Sequence, residues 1–262
     1  SLRVKDTYHG EHTFGFYGLR LPLSNANRQQ IVLRVSFALR RFRIRRVICI
    51  PYSALDLCVA IAVRDLYDVP LCLWIMDDQN LYGHNIPDEI FREAAEKASI
   101  CFAISPDMRD GYEKKFGLRF YILPPVVPGH LISAKPPAFR RPAPKKPRGI
   151  LIGNLWNQQW LDSLMETVSK SGAAVDWYCR NTHAGWLAPL APEVLRRHGI
   201  HLFPPLPEED LISVSQRYDF ALIPSGTMDG NDPSREIARY SLPSRLLLLM
   251  AAGQLPMAVL GS

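Results

Sequence analysis

The chain of 262 residues has no apolar run approaching the roughly 20 residues a membrane span requires, so no stretch of it reads as a transmembrane helix. Its opening, "SLRVKDTYHGEH", lacks the apolar segment of a secretion signal. Cysteine is scarce: Cys49, Cys58, Cys72, Cys101 and Cys179, with no C-x-x-C pair and no metal-ligand spacing. Structural zinc and dithiol redox chemistry are therefore disfavoured, and no metal site is expected. The count is odd and four of the five lie in apolar runs, so buried free thiols in a reducing compartment are the expectation. Acid is missing from one whole segment. Residues 133–148, "SAKPPAFRRPAPKKPR", carry Lys135, Arg140, Arg141, Lys145, Lys146 and Arg148 unopposed, which accounts for the whole net charge of +6. A second basic block, "RRFRIRR", holds Arg40, Arg41, Arg43, Arg45 and Arg46. Basicity confined to two short segments does not make a nucleic-acid groove, and no nucleic-acid partner is expected. It suits an anionic surface met at one edge.

What is present is enough hydrophobic residue, 47%, to fill one large or two ordinary domains. Strand-like runs alternate with helical ones: "VICI", "LCLWI", "ICFAI" and "RFYIL" in the first half, "GILIG", "AVDWYC", "IHLF", "DFALIP" and "PMAVL" in the second. These runs barely alternate apolar with polar, as expected of parallel strands covered on both faces. Ser105 before Pro106 marks a helix start, a side-chain cap followed by a residue with φ preset for the first turn. Five prolines between Lys135 and Arg148 break regular structure and read as a stiff linker. The chain is thus expected to be α/β, with two Rossmann-like doubly wound domains facing each other across a cleft. The boundaries expected are 1–132 for the first domain, 133–148 for the linker and 149–262 for the second.

Ligands of such sheets bind beyond the carboxyl ends of the strands. Three loops of the second domain are so placed: "IGNLWN", "PSGTMDGNDPSRE" and "SLPSR". Gly153 ends a strand and opens a helix, where a missing side chain lets backbone N–H groups approach a phosphate. In "SLPSR", Ser241 or Ser244 caps the last helix, and Arg245 puts a full positive charge in its first turn. A cation there is unfavourable by a few tenths of a kcal/mol, a cost that makes sense if an anion sits beside it. The helix itself runs apolar from Leu246 to Ala251, which predicts burial on nearly every side.

At these residues the sequence resembles a retaining glycosyltransferase of the two-domain GT-B type, glycosyltransferase family 4-like. "SLPSRLLLLMAAGQLPMAVLG" is similar to the family's donor-site segment, and "ASICFAISPDMRDGYEKKFGLRFYILPPVV" to the end of its acceptor domain. "RGILIGNL" resembles the strand and glycine turn that open the donor domain, and "WIMDDQN" the Asp-Asp element some members carry in the acceptor domain. The resemblance implies a hexosyltransferase of polysaccharide biosynthesis that retains configuration, with no cofactor and no bound metal. Its donor is a nucleotide-diphosphate sugar and its acceptor a saccharide or lipid-linked saccharide. It implies Gly153, Asn154, Ser244 and Arg245 near the diphosphate, with Ser225 and Gly226 beside the sugar or phosphate. Arg235, in a loop long enough to close over a ligand, is a candidate phosphate clamp. Asp77 and Asp78, at the end of a strand, are the catalytic candidates for positioning or deprotonating an acceptor hydroxyl; a helix-capping pair is the alternative. His84 and His183 are weaker loop candidates.

Departures from the family pattern are local. Tyr240 and Leu248 stand where many members carry two glutamates that hold sugar and ribose. Asn154, Gln158 and Gln159 replace a basic pair after the glycine turn. No glycine-rich strand-turn precedes "VICI", and the strand "PMAVLG" has no returning helix after it, so the expectation is a fragment or a trimmed enzyme. Two rivals stay open: a non-catalytic GT-B-like binding protein and a GT-B-type sugar-nucleotide epimerase. Ile31, Val35, Ala38, Leu39 and Phe42 share one helical face beside "RRFRIRR". This is either a packing helix or an amphipathic one on anionic lipid, and the expected location is cytoplasmic, peripheral at the inner membrane face.

Overall fold

The first strands stand apart from any larger sheet: β1 (Leu2–Tyr8) pairs antiparallel with β2 (Glu11–Phe16), an element the sequence patterns did not announce. The computed structural model describes residues 2–8, 11–16, 25–127, 129, 132, 146–155, 158–179, 192–224, 240, 242, 244–251 and 257–260. It divides into two units, Ser1–Leu123 and Pro124–Ser262.

In the first unit the alternation reads α1 (Asn25–Leu39), β3 (Val47–Cys49), α2 (Ala54–Tyr67), β4 (Leu71–Ile75), α3 (Asp88–Lys97), β5 (Ile100–Ala103), α4 (Pro106–Phe116) and β6 (Tyr121–Ile122). The four strands form a parallel sheet in the order β3-β4-β5-β6. Local chemistry sets the helix starts. The Asp56 carboxylate accepts from the Ser53 N–H at 2.8 Å and the Ser53 hydroxyl at 2.9 Å, closing the first turn of α2. Ser105 Oγ accepts from the Met108 N–H at 3.2 Å ahead of Pro106, and Gly117 at φ 69° ends α4. Helix α1 buries Ile31, Val35 and Leu39 against Cys58, Ala62 and Val63 of α2. Each such side chain contributes about 1.5–3 kcal/mol, enough to hold a helix that has no acid in its first turn.

The second unit runs β7 (Arg148–Ile152), α5 (Gln158–Ser171), β8 (Ala174–Tyr178), α6 (Pro192–Arg197), β9 (Ile200–Phe203), a 3-10 turn at Glu208–Asp210, α7 (Leu211–Ser215), β10 (Phe220–Pro224), α8 (Ser244–Ala251) and β11 (Met257–Leu260). Its five strands are all parallel in the order β11-β10-β7-β8-β9. Numbered within the unit, that is the doubly wound order 3-2-1-4-5, whose direction reverses between β7 and β10. Adjacent residues of β7 feed opposite cores, which is why the strand reads as unbroken apolar sequence. Leu151 joins Trp160, Leu161, Leu164 and Trp177 on one face, while Ile150 joins Ala221, Ile223 and Leu249 on the other. All five cysteines are free thiols, four of them buried and Cys72 half-buried.

One expectation about packing needs correcting. Helix α8 is not enclosed on every side: Leu249 is 2% exposed, but Met250 is 59% exposed and Leu246 to Leu248 are half-buried. The helix lies on the sheet with only Leu249 driven fully into the core.

Candidate functional site

The reversal between β7 and β10 is where a doubly wound sheet opens a crevice beyond its carboxyl ends, and Gly153 follows β7 at that point. Its φ is +90°, a backbone state that side chains oppose. Its N–H donates to the Tyr178 carbonyl at 2.8 Å, and its carbonyl accepts from Trp177 Nε1 at 2.7 Å. The N–H of Gly153 itself is therefore spent inside the sheet. The missing side chain serves a different purpose. A Cβ at Gly153 would lie 3.3 Å from both Cζ and Nη2 of Arg245. The glycine makes room for a guanidinium laid flat against its backbone.

Arg245, in the first turn of α8, reaches back across the sheet end to this glycine. Its Nη2 donates to the Asn154 carbonyl at 3.2 Å, while Nη1 is buried with no hydrogen-bond partner among the described residues. Burial pulls its pKa below the ordinary guanidinium value. No described carboxylate forms an ion pair with it. A desolvated cation with no counter-charge among the described residues costs several kcal/mol, and here it also faces the positive end of a helix dipole. A ligand anion offsets both penalties, and a phosphate matches the planar fork of a guanidinium.

Of the remaining candidates in this unit, Ser244 begins α8, whereas Ser225, Gly226, Arg235 and His183 lie outside the described residues. Tyr240, standing where the family has a glutamate, is 6% exposed.

A network the sequence did not suggest steadies β8. Asp176, 1% exposed in mid-strand, accepts from Arg148 Nη2 at 2.7 Å and from the Tyr218 hydroxyl at 2.7 Å. The Tyr218 and Tyr178 hydroxyls are 2.9 Å apart. Burial, then bonds to Tyr178 and Asp176, push the Tyr218 phenol well above its ordinary pKa. The network fixes Tyr178, whose carbonyl holds Gly153. Its one sequence signal was an acid inside the apolar run "AVDWYC".

In the first unit the two candidate carboxylates part company. Asp78 is 5% exposed. Its Oδ1 accepts from the N–H groups of Asn80 (3.1 Å) and Leu81 (2.8 Å) and from the Tyr112 hydroxyl (2.9 Å). Its Oδ2 accepts from the N–H groups of Tyr82 (2.8 Å) and Gly83 (3.4 Å). Both oxygens are engaged, by four amides of the loop after β4 and by Tyr112 of α4, and burial together with this carboxylate raises the Tyr112 phenol. Gly83 belongs to the same wrap, since a Cβ there would sit 2.7 Å from the Asp78 carbonyl oxygen. His84 is exposed at φ +47°, a bend of that loop. Asp77 is half-buried and takes a hydrogen bond from the exposed Tyr52. Burial, followed by the Asp77 charge, raises the Tyr52 phenol. Tyr52 follows β3 and Asp77 follows β4, so the pair sits beyond the carboxyl ends of adjacent parallel strands. Sequence reading missed Tyr52 because a tyrosine after "VICIP" has no pattern that points to a partner a strand away. Among the described residues no three His, Cys, Asp or Glu side chains converge as metal ligands.

No protein-family model matches the chain, and no curated protein sequence matches it. The fold does have solved counterparts. It is similar to the UDP-forming α,α-trehalose-phosphate synthase from Burkholderia xenovorans in complex with glucose-6-phosphate (TM-score 0.59, 10% identity, 88% of this chain and 62% of that one). It is similar to the apo lipopolysaccharide outer core galactosyltransferase WaaB (0.53, 16%, 89% and 61%) and to the GtfA/B complex (0.51, 14%, 97% and 48%). The chain spans less than two thirds of the length of each. These likenesses define the class of fold: two parallel-sheet, Rossmann-like units of the GT-B type.

Proposed function

We propose that this chain works in glycosyl transfer from a nucleotide-diphosphate sugar, with the diphosphate seated at the start of α8. The observation that carries the reading is the Arg245 guanidinium, desolvated against Gly153 and without a described carboxylate. As the bond to the sugar breaks, negative charge grows on the departing diphosphate. Arg245 meets it in a low-dielectric setting where the donor is already oriented, with no metal ion required. Asn154, Ser244, Ser225, Gly226 and Arg235 complete the donor side in this reading. Two of the structural neighbours are by name a UDP-forming synthase and a galactosyltransferase, which agrees with it.

Asp77, with Tyr52 as its partner, is assigned to the acceptor side, where it orients a saccharide or lipid-linked hydroxyl and takes its proton. Asp78 holds the loop that presents Asp77. Residues 1–132 then serve the acceptor, 149–262 the donor and 133–148 join them, with retained configuration and a cytoplasmic membrane face as the setting. The buried Tyr240 favours a second reading, a non-catalytic nucleotide-sugar binder, because its side chain replaces a carboxylate. Thermal-shift titration with UDP, GDP and ADP tests the common core: one of them is expected to raise Tm while its nucleoside does not. No response to any diphosphate overturns the proposal. Stabilisation without release of sugar from the matching sugar nucleotide favours the binder.

A further inference from the structure

Helix α1 has two apolar faces, and the structure accounts for only one. Ile31, Val35 and Leu39 are buried against α2. On the opposite side Leu33 and Phe37, one helical turn apart, are each 70% exposed. Arg34, Arg40 and Arg41 flank that ridge, all exposed, and the Arg40 guanidinium lies 3.8 Å from the Phe37 ring centroid. The turn after the helix adds Arg43, Arg45 and Arg46, also exposed. From His12 to Leu55 the chain contains no acidic residue. None of these six arginines forms an ion pair with a described residue, whereas Arg28, on the side of the helix facing α3, is bound to Glu93 at 2.7 Å. The charge turned toward α3 is neutralised, and those turned outward have no acidic partner among the described residues.

We infer that the outer ridge of α1 and the arginine-rich turn behind it form a docking surface for an anionic lipid bilayer. Two large apolar side chains, set between cations on a helix lying along the protein surface, match the headgroup–acyl boundary. The apolar groups enter it while the guanidinium groups stay level with phosphates. The complementary charge singles out this occupant, because six arginines with no acidic partner among the described residues repel a second copy of the same surface. The helix lies on the membrane and does not cross it; no described helix is long and apolar enough to do so.

Vesicle sedimentation tests this with the whole chain. Binding is expected to phosphatidylcholine vesicles containing phosphatidylglycerol, and to be released by high salt because surface charges are screened. Arg40→Gln with Arg41→Gln is expected to weaken it on the order of fivefold per arginine. Leu33→Glu and Phe37→Glu, both at exposed positions, are expected to abolish it while leaving Tm and any nucleotide response unchanged. Equal partition onto pure phosphatidylcholine overturns the inference, as does an absence of binding to anionic vesicles. So does a concentration-dependent dimer, seen by light scattering, that Phe37→Glu dissolves. No nucleotide enters these measurements, so their failure is separate from failure of the transferase reading.

Discussion

Replacing Arg245 by methionine separates a seat for an anion from an ordinary core contact, because the two readings predict opposite signs. Methionine keeps much of the apolar stem and removes the charge. The Nη2 bond to the Asn154 carbonyl is lost, at about 1 kcal/mol. Against that, the desolvation of a guanidinium with no described counter-charge is relieved, and exchanging buried ionic groups for apolar ones of similar volume gains about 1–4 kcal/mol. The net is a ligand-free protein more stable by about 0–3 kcal/mol. Domains somewhat larger than this unit gain roughly 2–4 °C per kcal/mol, so Tm is expected to rise by several degrees. Nucleotide has the opposite effect. A ligand at a hundred times its Kd stabilises the native protein by about 2.7 kcal/mol, and that increment is expected to vanish in the variant. Differential scanning fluorimetry with and without the best nucleoside diphosphate reads both quantities in one experiment. An Arg245→Met protein that is less stable without ligand, yet keeps the nucleotide shift, rules out an anion seat at this residue, since the arginine is then a satisfied structural group.

Two further outcomes follow from the same structure. Asp78→Asn puts an amide among four backbone N–H groups and a tyrosine hydroxyl, and is expected to lose about 2–4 kcal/mol in urea unfolding. Asp77→Asn is expected to change stability by less than about 1 kcal/mol while sugar transfer collapses; a reversal of these two results would exchange the roles assigned to the pair. Burial raises the thiols of Cys49 and Cys101 from the ordinary 9.0 to about 12 and that of Cys179 to about 11. The unfolded chain then gives up these protons first, so their contribution is intact below about pH 9 and is lost as pH climbs toward the folded values. Iodoacetamide at pH 8 is expected to spare all three until urea is added, and alkylation of the native protein at the unfolded rate would contradict the burial.

The comparison between sequence and structure differs from one element to the next. The strands "LCLWI" and "IHLF" were legible to the residue, because a short apolar run bounded by polar turns admits few placements in a parallel sheet. The cap at Ser105 was legible because it is made within four residues. The β1–β2 hairpin was missed although Leu2-Arg3-Val4-Lys5 alternates apolar with polar, because that pattern breaks at Asp6, where the strand register shifts, and is too short to stand out. Gly153 was singled out as a place where a missing side chain gives room, but that a guanidinium fills the room was not legible. The residue that exploits the space is 92 positions further along the chain. The twin aspartates looked equivalent, and only Tyr52, Tyr112 and the loop amides tell them apart.

Local sequence was enough for the alternation of strand and helix, for the cap at Ser105 and for the presence of two α/β units. Each of these follows from hydrophobic period and from hydrogen bonds closed within a turn, which neighbouring residues settle among themselves. Three outcomes waited on the assembled fold: Gly153 shelters Arg245, Asp78 is spent on its own loop and on Tyr112, and α1 keeps a second apolar face outside. Those outcomes depend on which groups lose water and which find a partner. Burial and pairing are properties of chain segments brought together from afar, so no local pattern encodes them.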